Sequence, residues 1–199
     1  MKFAVGLPNV REYGDPALLV ELGHEAELAG WDGVFVWDHL AYREPEAPVA
    51  VPWIAVAGLA DRTQRIALGV MVCALARRRP WKVAREAASL DVLSGGRLRF
   101  GAGLGSLAEE EFAAFGEDAD PRVRAARLDE ALEIVAYTRS QRPGDEPLDV
   151  VIEGQTDGPD AARIDSYADV GLTWWIEKLG WFRGSPEEMR ARIAAGPPA

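Results

Sequence analysis

The chain has 199 residues, 48% of them hydrophobic and 27% charged, which is typical of one globular domain with a sizeable core and excludes disorder, collagen and coiled coil. The 22 basic and 32 acidic residues give a net charge of −10, which disfavours a nucleic-acid partner. One cysteine and two histidines predict no internal disulfide and no metal site. Since no apolar run is long enough to cross a bilayer, we expect a cytoplasmic protein without a membrane partner.

Six apolar segments alternate with amphipathic segments along the chain. The predicted strands are residues 2–8, 31–37, 65–73, 98–105, 148–153 and 173–177. Their nearly continuous hydrophobicity is typical of strands covered on both faces. The predicted helices are residues 16–29, 52–59, 80–93, 121–141, 160–170 and 186–195. Asp15-Pro16 begins the first helix, and Ser185 with Glu188 forms a capping box at the last.

This alternation predicts an α/β fold with parallel strands, because parallel neighbours need a connection of helix length. The whole chain, residues 1–199, is then a single domain with either an open doubly wound sheet or a barrel. In both architectures ligands bind at the carboxyl ends of the strands. The residues that directly follow each strand are therefore the candidates for function.

Several motifs occur in the order typical of one family. They are VWDHL at 36–40, RPWKVARE at 79–86, LDVLSGGR at 90–97, FGAGLG at 100–105, EFAAFGE at 111–117, RLDEAL at 127–132 and ADVGLTWWIE at 168–177. Over most of its length the chain resembles the luciferase-like monooxygenase superfamily of flavin- or deazaflavin-dependent barrel enzymes. The LDVLSGGR segment with the glycine-containing strand after it is the most specific element of the resemblance.

The chain is shorter than the family it resembles. A complete barrel of eight β-α units needs about 250 residues. The resemblance therefore implies a TIM-barrel-like but incomplete fold of about six parallel units, with an internal deletion near residues 133–134 that removes strands five and six. In the family those units help to hold the cofactor phosphate. Because strand number, tilt and shear are linked, six strands leave the sheet open or covered by a partner.

His39 is the candidate catalytic residue, since it follows the second strand beside Asp38. A carboxylate beside an imidazole can fix its tautomer and charge state. The resemblance implies that this histidine lies near the flavin ring. In the alternative interpretation, Asp38 caps the next turn and His39 only packs. The other histidine, His24, is on the polar side of the first helix and is expected to be structural.

The resemblance also implies cofactor-binding residues on the third and fourth strands. Met71 and Val72 match the position of a non-proline cis peptide that supports the flavin ring. Gly101, Gly103 and Gly105 end the fourth predicted strand and resemble a phosphate-cradling run, because glycines permit close approach of the backbone; Gly103, Leu104 and Gly105 are candidate cofactor-binding residues. Leu104 replaces an arginine of bacterial luciferases, which favours the deazaflavin branch. Alternatively, the glycines only relieve crowding at the strand end.

The remaining candidates come from the residue patterns. Trp37 and Trp175 could stack on a planar ring, and Glu153 and Glu177 end apolar strands, so their carboxylates should point toward the common mouth. The arginines at 77–79 could hold a phosphate, but a solvated turn is favoured. Cys73 is expected to be a buried small hydrophobic residue.

The sequence therefore predicts a flavin- or deazaflavin-dependent oxidoreductase or monooxygenase that acts on a small organic substrate with FMN or a deazaflavin (coenzyme F-420). The alternative is a non-catalytic shortened relic that dimerises and binds a flavin without turnover. A homodimer is expected because the second and third helices carry surplus apolar residues, as the family pairs through this region. These are Trp53, Ile54, Val56, Leu59, Trp81 and Val83.

Overall fold

The fold is seen in a computed structural model, which describes residues 1–44, 46–140, 151–156, 164 and 172–198. The strands of this part of the chain are β1 (Lys2–Leu7), β2 (Gly33–Val36), β3 (Ala67–Val70), β4 (Cys73–Ala74), β5 (Ala102–Gly103), β6 (Val151–Gly154) and β7 (Trp174–Lys178). Its α-helices are α1 (Pro16–Leu28), α2 (Pro52–Arg62), α3 (Pro80–Leu93), α4 (Ala108–Glu111), α5 (Pro121–Ser140) and α6 (Pro186–Ala194).

The strands pair in parallel throughout, which confirms the predicted α/β class. Five strands form one sheet in the order β3-β2-β1-β7-β6, and β4 pairs with β5. A parallel bridge between Leu68 and Leu98 links the chain before β5 to β3. Within the described residues, no strand ladder joins β5 to β6. The order β6-β7-β1-β2-β3 follows the chain apart from the join of β7 to β1, as in a parallel barrel.

The third and fourth predicted strands are more broken than their apolar patterns suggest. A cis peptide between Met71 and Val72 separates β3 from β4, which confirms the expectation from the resemblance. The fourth predicted strand, 98–105, keeps only the Leu98 bridge and β5. Apart from Ile164, the helix predicted at 160–170 lies outside the described residues, and the deletion near residues 133–134 stays a prediction.

Local signals fix the helix ends where the sequence predicts them. The carboxylate of Asp15 accepts a hydrogen bond of 2.9 Å from the backbone N–H of Ala17 and caps α1. Ser185 and Glu188 form a complete capping box at α6. Gly196, with a φ of +79°, follows the end of α6 in the left-handed conformation that glycine adopts readily.

The two faces of the sheet bury different sets of side chains. The outer face packs against the helices in a large apolar core that includes Leu22, Val34, Leu59 and Leu68. The inner face carries a smaller cluster of Ala4, Phe35, Ala67, Trp174 and Ile176. Because successive strand residues point to opposite faces, both sets come from the same strands. The inner cluster forms the floor beneath the carboxyl ends of the strands.

The apolar residues expected at a dimer surface divide into two groups. Trp53, Val56, Leu59 and Val83 are buried in this chain's own core. Ile54 and Trp81 are 63% and 60% exposed. In the described part of the chain, no helix is long and apolar enough to span a membrane.

Candidate functional site

A cavity of about 500 Å³ lies at the carboxyl ends of the strands. Most of the residues predicted to form the site line it. These are Trp37, Asp38, His39, Met71, Val72, Leu104 and Gly105. Loops after different strands supply them, as expected for a parallel β-α architecture. Gly103, Trp175 and Glu177 do not line this cavity.

The glycines of the fourth strand lie against the cis peptide segment. A Cβ atom on Gly103 would be 2.5 Å from Cγ2 of Val72. Gly105 has a φ of +81°, and a Cβ atom there would be 3.0 Å from the Cβ of Ala74. For Gly103, this geometry supports the interpretation that glycine relieves crowding. Gly105 is a cavity-lining residue whose backbone conformation favours glycine.

His39 is held from two sides. Its backbone N–H donates to Oδ1 of Asn9 over 3.0 Å, and Nδ2 of Asn9 donates to the His39 carbonyl over 2.8 Å. Its imidazole Nδ1 lies 2.9 Å from Oε1 of Glu111, and the side chain is 13% exposed. The rings of Tyr42 and Trp37 contact the imidazole edge to face, at centroid distances of 5.0 and 5.8 Å. The ring therefore has a fixed position at the edge of the cavity.

Glu111 is the partner of His39 that sequence reasoning missed. Its side chain is 1% exposed, and Oε1 also accepts from the backbone N–H of Leu40 over 2.9 Å. Its Oε2 accepts from the guanidinium of Arg77 over 3.1 Å. Burial raises the pKa of Glu111, but the hydrogen bond and charge of His39, the charge of Arg77 and the Leu40 N–H together lower it below its ordinary value. Glu111 is thus a buried, ionised carboxylate.

The sequence contains only a weak signal for Glu111. It is the last of three consecutive glutamates in the short helix α4, and Glu109 and Glu110 are exposed. The next residue, Phe112, is fully buried. A glutamate that adjoins a buried aromatic residue is a candidate for burial, but nothing in the sequence identifies a partner 72 positions away.

Asp38 has a different role from the two interpretations offered by the sequence. Its carboxylate accepts from the backbone N–H of Ala74 over 3.0 Å and from Nε of Arg78 over 3.0 Å. It neither contacts the His39 ring in the described structure nor caps the next turn. Asp38 instead joins the end of β2 to the segment around β4, and so positions two walls of the cavity relative to each other.

The prediction of a solvated turn at residues 77–79 is wrong for Arg77 and Arg78. Arg77 has a side chain only 3% exposed and bridges Glu111 to the backbone carbonyl of Asp38. Arg78 is paired with Asp38; burial lowers the pKa of its guanidinium, and the hydrogen bond and charge of Asp38 raise it above its ordinary value. Arg79 is exposed and lies against the Trp81 ring. The run of three arginines suggests exposure, but the carboxylates of Glu111 and Asp38 pair with the first two and allow them to be buried.

The opposite wall of the cavity carries a second polar group. Nε1 of Trp37 donates to Oε1 of Glu153 over 2.9 Å, and Nζ of Lys178 lies 3.8 Å from Oε2 of Glu153. The Lys178 ammonium is 4.9 Å from the Trp37 ring centroid, and Phe182 is stacked parallel to Trp37. Trp37 therefore presents its ring at the cavity with its polar atom already bonded.

Trp175 and Glu177 face the other side of β7, so the predicted direction of both side chains is wrong. Trp175 is 2% exposed and packs with Ile164 and Leu172. Glu177 is fully buried, where it accepts from the backbone N–H of Thr156 over 3.0 Å and from Nε1 of Trp175 over 3.1 Å, and pairs with Arg183. Strand alternation instead directs Ile176 and Lys178 to the cavity.

Cys73 is buried, as predicted. Burial, assisted by the negative charge of Asp38, raises the pKa of its thiol to about 12, so it does not supply a thiolate at neutral pH. Among the residues that the structure describes, no group of three or more His, Cys, Asp or Glu side chains is placed to hold a metal ion.

A protein-family model described as luciferase-like monooxygenase matches residues 1–155 of this chain. The chain belongs to this family. It is 34% identical over 138 residues to a 4-hydroxyprotoasukamycin monooxygenase of Streptomyces nodosus subsp. asukaensis, an alignment that covers 67% of this chain and 35% of that protein. It is 33% identical over 181 residues to an F420-dependent glucose-6-phosphate dehydrogenase of Rhodococcus hoagii (strain 103S), covering 88% of this chain and 51% of that one.

Comparison with solved structures shows the same kind of fold. An F420-dependent secondary alcohol dehydrogenase in complex with an F420-acetone adduct aligns with a TM-score of 0.62 and 21% identity. That alignment covers 99% of this chain and 66% of the dehydrogenase. The resemblance to the luciferase-like family is confirmed, and the chain spans about one third to one half of the length of the curated relatives it matches.

Proposed function

We propose that this family member is a flavin- or deazaflavin-dependent oxidoreductase that acts on a small organic substrate. The observation that carries the proposal is the cavity at the strand ends, in which His39 is braced against Glu111 beside an apolar wall. The names of the relatives, which include monooxygenases and F420-dependent dehydrogenases, support the same chemistry. They do not favour the alternative of a non-catalytic relic.

The cavity fits the ring of FMN or coenzyme F-420 better than it fits the phosphate. Its volume of about 500 Å³ lies within the range of small-molecule sites. Met71, Val72 and Leu104 provide an apolar wall for a planar ring, and Trp37 faces the same space. Of the cations that line the cavity in the described structure, Arg77 is bound to Glu111 and Lys178 lies beside Glu153. We therefore expect the ring to provide most of the binding energy.

A bound flavin or deazaflavin would supply hydride transfer, or oxygen activation in the case of FMN. The chain's own residues would bind the ring, exclude water from it and orient the substrate. His39 would exchange a proton with the substrate, since it lines the cavity and its charged form would be stabilised by Glu111. Lys178 and Glu153 offer a polar contact at the other side of the same space.

The test is the visible spectrum of the purified protein, followed by separate titrations with FMN and with coenzyme F-420. We expect binding with a Kd of about micromolar order for at least one of them, which corresponds to about 8 kcal/mol. His39→Gln should retain that binding and lose turnover, whereas the matched variant His24→Gln should retain both. Failure of the folded protein to bind either compound would contradict the proposal.

We also propose a homodimer that buries the exposed apolar residues of α2 and α3. Ile54 of α2, Trp81 of α3 and Val51, which directly precedes α2, are each more than half exposed, which is unfavourable for a solvated surface. Light scattering on the purified protein should give twice the chain mass, and Ile54→Glu should reduce it to the chain mass. A monomeric mass for the unmodified protein would refute this proposal. The cytoplasmic location predicted from the sequence stays a prediction.

A further inference from the structure

We propose that Glu111 is a positioning residue that holds neutral His39 in its Nδ1–H tautomer and leaves the lone pair of the ring on Nε2. The pairing of His39 and Glu111 at 2.9 Å does not by itself say which atom carries the proton. The answer follows from the other groups that surround the carboxylate. Use of Nε2 as a base rests on the function proposed above, but the tautomer itself does not.

Both oxygens of Glu111 already face donors. Oε1 accepts from the backbone N–H of Leu40 over 2.9 Å and lies 3.3 Å from the N–H of Ala41. Oε2 accepts from the cationic guanidinium of Arg77 over 3.1 Å. A proton on Oε1 would compete with the N–H of Leu40, and a proton on Oε2 would lie beside the cationic guanidinium of Arg77, in a site where the carboxyl side chain is 1% exposed. The arrangement therefore favours the ionised form.

An ionised carboxylate can only accept hydrogen bonds. The ring nitrogen that lies 2.9 Å from it must then be the donor, so Nδ1 of His39 carries hydrogen. This tautomer is the less favoured form of a free imidazole, in which Nε2 is usually protonated. The position of Glu111 thus changes the chemistry of the ring as well as its orientation.

The consequence for chemistry is that His39 presents an acceptor nitrogen rather than a donor. If a substrate hydroxyl is bound in the cavity, Nε2 can take its proton: the O–H bond breaks, the electron pair remains on oxygen and an N–H bond forms. The resulting imidazolium is next to the Glu111 carboxylate, which offsets its charge. Asp38, the acidic neighbour in sequence, cannot do this because its carboxylate bonds to Ala74 and Arg78.

The tautomer can be measured directly, because the chain has only two histidines. We would record long-range ¹H–¹⁵N correlations of ¹⁵N-labelled protein at an alkaline pH that keeps both rings neutral, and assign the signals with His24→Gln. The expected result is a pyridine-type ¹⁵N shift for Nε2 of His39 and a pyrrole-type shift for its Nδ1. Nδ1 of His24 has no hydrogen-bond partner among the described residues, so this ring should show the opposite pattern. An Nε2–H or averaged tautomer for His39 would overturn the inference.

Two variants assign the effect to Glu111. Glu111→Leu removes the acceptor and should return His39 to the Nε2–H form, while the His24 signals stay in place as a check on folding. Glu110→Leu is the matched control, because this neighbour in α4 is exposed, and it should leave the His39 tautomer unchanged. An unchanged tautomer in a folded Glu111→Leu variant would refute the positioning role. If that variant does not fold, the measurement on the unmodified protein still shows whether His39 has the Nδ1–H tautomer that the inference requires.

The experiment separates this inference from the proposed function, since no cofactor is added. Failure to bind FMN or coenzyme F-420 would contradict the proposed function and leave the tautomer result intact. Conversely, an Nε2–H tautomer would contradict the inference even in a protein that binds a cofactor.

Discussion

Replacement of Asp38 by alanine should be one of the most destabilising single changes near the cavity. The Asp38 carboxylate is 1% exposed and bonds to the Ala74 N–H and to the guanidinium of Arg78. Removal of one partner of a buried ion pair costs about 3–5 kcal/mol. Because the Arg78 side chain is 20% exposed and can recruit water, we expect about 3 kcal/mol for Asp38→Ala. Asp38→Asn, which keeps an acceptor for the Ala74 N–H, should cost about 1–2 kcal/mol.

The assay is urea unfolding monitored by circular dichroism and by tryptophan fluorescence, with coincident transitions required before free energies are compared. Lys82→Met is the matched control, since it breaks the exposed pair with Glu86 and should cost less than about 0.5 kcal/mol. A double-mutant cycle with Arg78→Met should give a coupling energy of about 1–3 kcal/mol. A loss for Asp38→Ala as small as that of Lys82→Met would refute the reasoning.

Three further predictions concern a titrating carboxylate, the wall of the cavity and the outer face of β7. Burial raises the pKa of Glu27, but the backbone N–H groups of Arg65, Ile66 and Gln64 lower it overall, so the ionised carboxylate stabilises the fold above pH 4.5 and this stabilisation is lost as the pH falls through the lower folded pKa. The difference in unfolding free energy between Glu27→Gln and the unmodified protein should therefore be largest at neutral pH and vanish at low pH. A pH-independent difference would contradict this prediction. Gly103→Ala should displace Val72, whose Cγ2 would lie 2.5 Å from the new Cβ, and weaken FMN binding about tenfold or more in a fluorescence titration; unchanged affinity would exclude Val72 from the binding wall. Glu177→Ala should lower the free energy of unfolding by about 3 kcal/mol through the loss of its pair with Arg183, without a change in FMN affinity, and a loss of affinity at full stability would return Glu177 to the site.

The strand directions explain why some site residues could be predicted and others could not. Residues directly after a strand, such as His39 and Trp37, reach the cavity because parallel strands end at a common edge. Inside a strand the apolar pattern is nearly continuous, so it carries no alternation that distinguishes one face from the other. Adjacent residues of a strand face opposite sides of the sheet, so an error of one residue in the assumed direction exchanges the two faces. In β7, Ile176 and Lys178, rather than Trp175 and Glu177, line the cavity.

The sequence by itself determined the alternation of strands with the long helices α1, α2, α3, α5 and α6, the bounds of α3 and the caps of α1 and α6, because these depend on neighbours within a few residues. Tertiary structure alone decided the partners of the buried charges. Glu111 meets His39 across 72 positions, and Arg77 meets Glu111 across 34. Such pairs form because folding brings distant segments to one end of the sheet. A buried charge there is stable only beside an opposite charge, which its own segment does not provide.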